Sequence, residues 1–142
     1  SLLFFAAAKG TTDANIVGKT APDGGTTLAN WVLRFSGATG MTMSVRRNGV
    51  TAAAAATLGK WSLIHLVGNG ADLAFYQDGV LMATASSTGG ATGQPFTLFG
   101  PTGATAAADR FFAGKLAEVA HYGRALTPAE IAAQVTAFGG LQ

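Results

Sequence analysis

Asn48-Gly49, Asn69-Gly70 and Asp78-Gly79 fall within about thirty residues of one another, each between two runs of strand-like sequence. Asn-Gly and Asp-Gly tolerate the positive φ angles of a type I′ turn, whose twist matches an antiparallel hairpin. Three such signals in a row predict an antiparallel meander. The flanking runs alternate as strands do. Trp31, Leu33 and Phe35 share one face, with Arg34 on the other. Met41, Met43 and Val45 oppose Thr42, Ser44 and Arg46. Leu73 and Phe75 oppose Asp72 and Tyr76. The run 61–68 is apolar on both faces, which predicts a central strand. Further strands are expected near 15–19, 50–56, 80–85, 94–99 and 111–122. The five alanines of 52–56 favour helix intrinsically. Five residues between a hairpin turn and Gly59 are too few for a stable helix, so they are read as a strand.

One helix is expected, near 128–138. Thr127 can cap it, Pro128 suits its first position, and Glu130 can close a capping box three residues on. Gly139-Gly140 offers a C-cap. Ile131, Val135 and Phe138 fall on one face. The fold class is therefore all-β, an antiparallel two-sheet sandwich with one short C-terminal helix.

At 142 residues, the chain can bury roughly 68–70% of its unfolded surface. It is read as one domain, 1–142, in which the loops at 20–27, 85–93 and 101–108 are internal turns. With no Cys, disulfides and thiolate metal sites are excluded. The charged fraction is 11%, against about 25% for an ordinary soluble domain, and mean hydropathy is +0.33. A net charge of +2 gives no electrostatic footprint for nucleic acid. No apolar run reaches the roughly 18 residues of a membrane span. The opening Ser1-Leu2-Leu3-Phe4-Phe5 lacks the basic start of a signal peptide and is read as a buried strand. Ser1 suits a chain trimmed of its initiator Met, or a segment of a longer polypeptide.

Two passages carry a family resemblance. Gly59-Lys60-Trp61-Ser62-Leu63-Ile64-His65-Leu66, followed by Leu73-Ala74-Phe75-Tyr76-Gln77-Asp78-Gly79-Val80, resembles the central hairpin of laminin-G-like domains in the concanavalin A-like superfamily. The passage 112–131, with Glu118, Tyr122, Arg124-Ala125-Leu126 and the helix start, is similar to that family's closing strand and terminal helix. The resemblance covers nearly the whole chain. It implies two curved antiparallel sheets, and a role in binding glycans, binding proteins or building extracellular, bacterial-surface or phage structures. Some members hold calcium at the rim. The chain departs from the pattern in being short, rich in Ala and poor in charge. No clear strand precedes Leu2, so the first edge is either missing or supplied by another chain.

Catalysis has little to build on. Glycan hydrolysis in this superfamily needs two carboxylates about 5–9.5 Å apart across a sugar. The seven acids here (Asp13, Asp23, Asp72, Asp78, Asp109, Glu118 and Glu130) form no alternating pair on a strand. Asp78 belongs to a turn and Glu130 to the capping box. Glu118 is expected to pair with Lys115 or Arg124. His65 and His121 have no acidic neighbour to make a metal pair. Asp13 with Asn15, Asp23 and Asp109 are read as loop residues, and they are the candidate calcium ligands, because calcium takes carboxylates and carbonyls. The side chains that a glycan surface would use are Tyr76, Arg34 and Arg46. No other cofactor is expected.

The chain is thus expected to be non-catalytic and to work by surface contact, with other protein chains as partners. The setting would be a homo-oligomer or a larger assembly such as a capsid, as a virion decoration or tail-associated protein, or as a module of the extracellular or cell surface. The rival is a soluble glycan-binding module.

Overall fold

The computed structural model describes residues 1–6, 14–19, 31–36, 42–47, 50–55, 59–86, 96–98 and 114–139. In chain order the strands are β1 (Leu2–Ala6), β2 (Ala14–Lys19), β3 (Trp31–Ser36), β4 (Thr42–Arg47), β5 (Val50–Ala55), β6 (Trp61–Gly68), β7 (Asp72–Gln77), β8 (Val80–Ser86), β9 (Phe96–Leu98) and β10 (Gly114–Val119). One helix, α1 (Pro128–Phe138), follows them. The strands form two five-stranded sheets, β10-β1-β6-β7-β8 and β5-β4-β3-β2-β9. Every strand pairing in them is antiparallel. The fold is the expected all-β sandwich.

β6 is the middle strand of the first sheet, and its residues 62–65 are buried on both faces. Leu66 stands opposite Phe75 and Gly68 opposite Leu73, so these residues look into the sandwich. Phe75, Ile64 and Leu33 have no exposed surface. Full burial of each stabilises the fold by roughly 1.5–3 kcal/mol. In β2 the register shifts between Asn15 and Val17. That bulge explains how the successive residues Ile16 and Val17 are both buried. The opening residues do form a strand, and β1 lies between β10 and β6 with Leu3 buried.

The other face of the first sheet carries Leu63, His65 and Trp61, and α1 lies across it. Val135 and Phe138 of α1 meet Leu3, Trp61 and Leu63 around a small gap of about 30 Å3. The Phe5 ring packs on Trp61 with centroids 5.6 Å apart. The helix starts as the sequence predicts. Thr127 caps it, Glu130 N–H donates to the Thr127 hydroxyl, and the Glu130 carboxylate accepts from Thr127 N–H. Ile131 is fully buried while Val135 and Phe138 are half-buried, which matches the predicted face. Gly139 closes α1 in the right-handed region (φ −60°).

Two of the predicted turns behave differently. Asp78 and Gly79 both adopt positive φ, 51° and 83°, as a type I′ turn requires. Asn69-Gly70 instead opens a longer connection. Pairing resumes at Leu73 opposite Gly68, and the Asn69 side chain accepts from Asp72 N–H at 2.8 Å. The side-chain bond stabilises the wider loop. Arg47 stands opposite Val50, so Asn48-Gly49 joins two paired strands but lies outside the described residues.

Candidate functional site

β1 pairs with β6 only as far as Leu2 opposite Ile64, while β6 continues to Gly68. Beyond that point the segment 119–126 runs along the other side, and a cleft of about 320 Å3 opens between them. Ser1 closes one end of it. The Ser1 amino group donates to the Ala120 carbonyl at 2.8 Å, and Ala120 N–H donates back to the Ser1 carbonyl at 3.0 Å. The buried lining is Val17, Ile64, Leu73 and His65. His121, Tyr122 and Arg124 form its exposed rim. The participation of Val17, from β2, shows that the cleft reaches between the two sheets.

Gln134 of α1 organises the polar end. Its Oε1 accepts from Ser1 Oγ at 2.7 Å and meets His65 Nε2 at 2.9 Å. Its Nε2 donates to the Tyr122 hydroxyl at 2.8 Å. An amide oxygen only accepts, so His65 carries its proton on Nε2. His65 Nδ1 is then a buried lone pair, and it has no hydrogen-bond partner. Burial pulls the His65 pKa below its ordinary 6.5. The Gln134 bond and Asp78 push it up, and the Ser1 ammonium adds to the lowering.

Arg124 on the rim is held by Glu130, which it bonds through both guanidinium nitrogens. That bond, with help from Thr127, holds the Glu130 carboxyl at about 2. Glu130, and not Glu118, is therefore the partner of Arg124. Its carboxylate already serves the capping box, so it sits within reach. Glu118 is exposed on β10.

The residues singled out in the sequence do not converge here. Tyr76 lies in β7, opposite His65, and is half-buried. Arg34 and Arg46 belong to the other sheet, two register positions apart on β3 and β4. Arg34 is buried, with 9% exposed. Asn15 lies in β2, opposite Arg34, where a loop position was expected. Asp13, Asp23 and Asp109 lie outside the described residues. Among the described residues, no three His, Asp or Glu side chains come together as metal ligands. Sequence reasoning missed Gln134 and Ser1. A Gln on the buried side of an otherwise apolar helix face was the one available signal.

Among the described residues, Glu118 and Asp78 lie on opposite sides of β1 and β6. Glu118, Leu3 and Leu63 stand in a row across β10, β1 and β6, and Leu63 N–H donates to the Asp78 carboxylate at 2.8 Å.

The comparisons with known proteins agree with this architecture. A search of the curated proteins finds no match. Among solved structures, the chain is similar to the crystal structure of a native heptameric SAP-like pentraxin from Limulus polyphemus. The TM-score is 0.65 at 13% identity, covering 92% of this chain and 65% of the pentraxin chain. The likeness at that identity is one of fold. The family model described as the concanavalin A-like lectin/glucanases superfamily matches residues 3–132, and the chain, with its two antiparallel sheets, belongs to that superfamily.

Proposed function

We propose that the chain is a non-catalytic attachment module that works by surface contact within a larger assembly. The observation that carries this reading is β8. It forms one edge of the first sheet, and Val80, Leu81 and Met82 stand in succession 62%, 50% and 39% exposed. β8 contains no ionisable residue, whereas β10 at the opposite edge carries Lys115 and Glu118. Charges on an edge strand discourage pairing with other chains; β8 carries none, and its neighbour across the sandwich is the edge strand β5. A bulge at Met82, opposite Phe75 and Tyr76, turns the apolar run outward. β5, equally free of charge in sequence, forms the edge of the second sheet. Consecutive exposed apolar residues of this kind mark contact faces.

Other protein chains are the proposed partners, in a virion decoration or tail-associated protein or a module of the bacterial surface. The similar pentraxin is described as heptameric, so this kind of sandwich is compatible with assembly. Sedimentation velocity of the chain beside its Leu81→Lys variant tests the reading. The parent should gain mass with concentration and the variant should not. Equal, concentration-independent sedimentation of the two would refute it.

The cleft favours a second reading, a lectin-like site. His121, Tyr122 and the Ser1 end present polar groups beside an apolar wall, the mixture that small-ligand sites use. Saturable binding on a broad glycan array, lost in Tyr122→Ala, would move the conclusion to this reading.

A further inference from the structure

His65 meets α1 in a site that suits only its neutral form. The residue has no exposed surface, and its Nε2 meets the Gln134 oxygen of the helix at 2.9 Å. That oxygen also accepts from Ser1 Oγ at 2.7 Å, so both of its lone pairs are used. Nδ1 is buried with no hydrogen-bond partner. A neutral ring needs little more there, with a donor at Nε2 and a lone pair at Nδ1. An imidazolium donates from both nitrogens, and the second N–H finds no acceptor. Burying a charge in that state is costly. The helix is the wall of this site that can give way. Ile131 is the one fully buried residue of α1, and Gln134, Val135 and Phe138 are half-buried. The connection from β10, 121–127, is exposed except at Leu126. β6, by contrast, is paired on both sides. Segments with few buried apolar groups and exposed connections open at the lowest free energy.

We propose that protonation of His65 releases α1 from the first sheet and uncovers the apolar side chains of Leu3, Trp61 and Leu63, which face Val135 and Phe138 while the helix is docked. Once the helix lifts, water solvates both ring nitrogens. Burial is the largest cause of the lowered His65 pKa, and lifting removes it. The docked helix therefore holds its full advantage above 6.5, the ordinary value. That advantage shrinks as pH falls below 6.5, by at most about tenfold per pH unit. Other titratable groups surround the ring. β7 and its turn bring Tyr76 and Asp78, and the start of β1 brings the Ser1 amino group. The segment after β10 brings His121, Tyr122 and Arg124. Asp78 attracts the imidazolium, and the Ser1 ammonium repels it. Glu130, at the start of α1, is tied to Arg124 and held at about 2, so the helix cap stays intact through mild acid. Release needs no partner and is independent of the attachment reading.

Amide hydrogen exchange of the full chain, read residue by residue by NMR between pH 7 and pH 5, tests it. Rates are expressed as protection factors, which removes the intrinsic pH dependence of exchange. An isolated helix of this length is marginal in water, so release shows as lost protection at Ala132 to Phe138. These amides should be at least roughly tenfold less protected than Ala74 and Tyr76 of β7 at each pH. Their protection should fall about tenfold or more from pH 7 to pH 5. His65→Gln keeps an N–H donor for Gln134 but takes up no proton, and should abolish the fall. Gln134→Glu leaves His65 in place and sets a carboxylate against its charge, so the fall should begin at lower pH than in the parent. Helix protection that is constant from pH 7 to pH 5 would overturn the proposal. So would equal protection of helix and strand amides, because α1 would then open only with the whole fold. An undiminished fall in His65→Gln would also overturn it, by moving the effect to another group such as Asp78 or His121.

Discussion

Gln134 of α1 and His65 of β6, 69 residues apart in sequence, meet at 2.9 Å where the helix crosses the first sheet. The same Gln134 oxygen accepts from Ser1, and its nitrogen reaches Tyr122. One amide therefore ties together the helix, the central strand, the start of β1 and the rim of the cleft.

Replacing that amide should loosen all four. In Gln134→Leu the buried His65 N–H loses its acceptor, which costs about 1–3 kcal/mol. Urea unfolding should show a lower midpoint with an unchanged slope. Near-neutral stability of the variant would mean that the bond is marginal.

His65 should make stability depend on pH. Its pKa is lowered in the folded state, so the unfolded chain binds the extra proton first. Stability is fully present above 6.5, the ordinary value, and declines as pH falls below it. The slope is at most about 1.4 kcal/mol per pH unit. Ser1 and Asp78 are the charges that bear on the ring, with Glu118 acting on Ser1. Chemical denaturation from neutral to mildly acid pH should show this decline, and His65→Leu should flatten it.

Gly79 and Gly70 provide an internal comparison. Both have positive φ, 83° and 97°, so Ala at either site costs roughly 1–2 kcal/mol of backbone strain. A Cβ at Gly79 would also stand 3.1 Å from Val135 of α1, whereas one at Gly70 meets nothing within 4 Å. Gly79→Ala should therefore lower the melting temperature more than Gly70→Ala. Equal losses would place α1 farther from the turn.

The helix start should titrate unusually low. The Glu130 carboxyl is held at about 2, first by Arg124 and then by Thr127. Because the folded pKa is depressed, the contribution of this group is present above 4.5, the ordinary value, and is lost as pH falls toward 2. An NMR titration of the Glu130 carboxyl should show the low midpoint, and Arg124→Met should raise it without restoring 4.5. Thr127→Ala should cost about 1 kcal/mol through the lost cap.

Much of this fold was legible because its signals are local. The Asp78-Gly79 turn, the doubly apolar run of β6 and the capping box at Thr127 each depend on residues within a few positions of one another. The loop at Asn69 was misjudged because an Asn side-chain bond to Asp72 competes with the tight turn, and a dipeptide does not reveal which prevails. The cleft was hidden for a different reason. It depends on the segment 119–126 lying beside β6 and on Gln134 reaching across from a helix, and both are long-range facts. Arg34 reads as outward by alternation, yet its surroundings bury it.

The proposed function of this sandwich is contact with other chains. Native mass measured over a wide concentration range addresses that claim most directly. Reversible growth in mass, abolished when Leu81 becomes Lys, is the predicted result. A single monomeric species at every concentration, unchanged by the substitution, would contradict it.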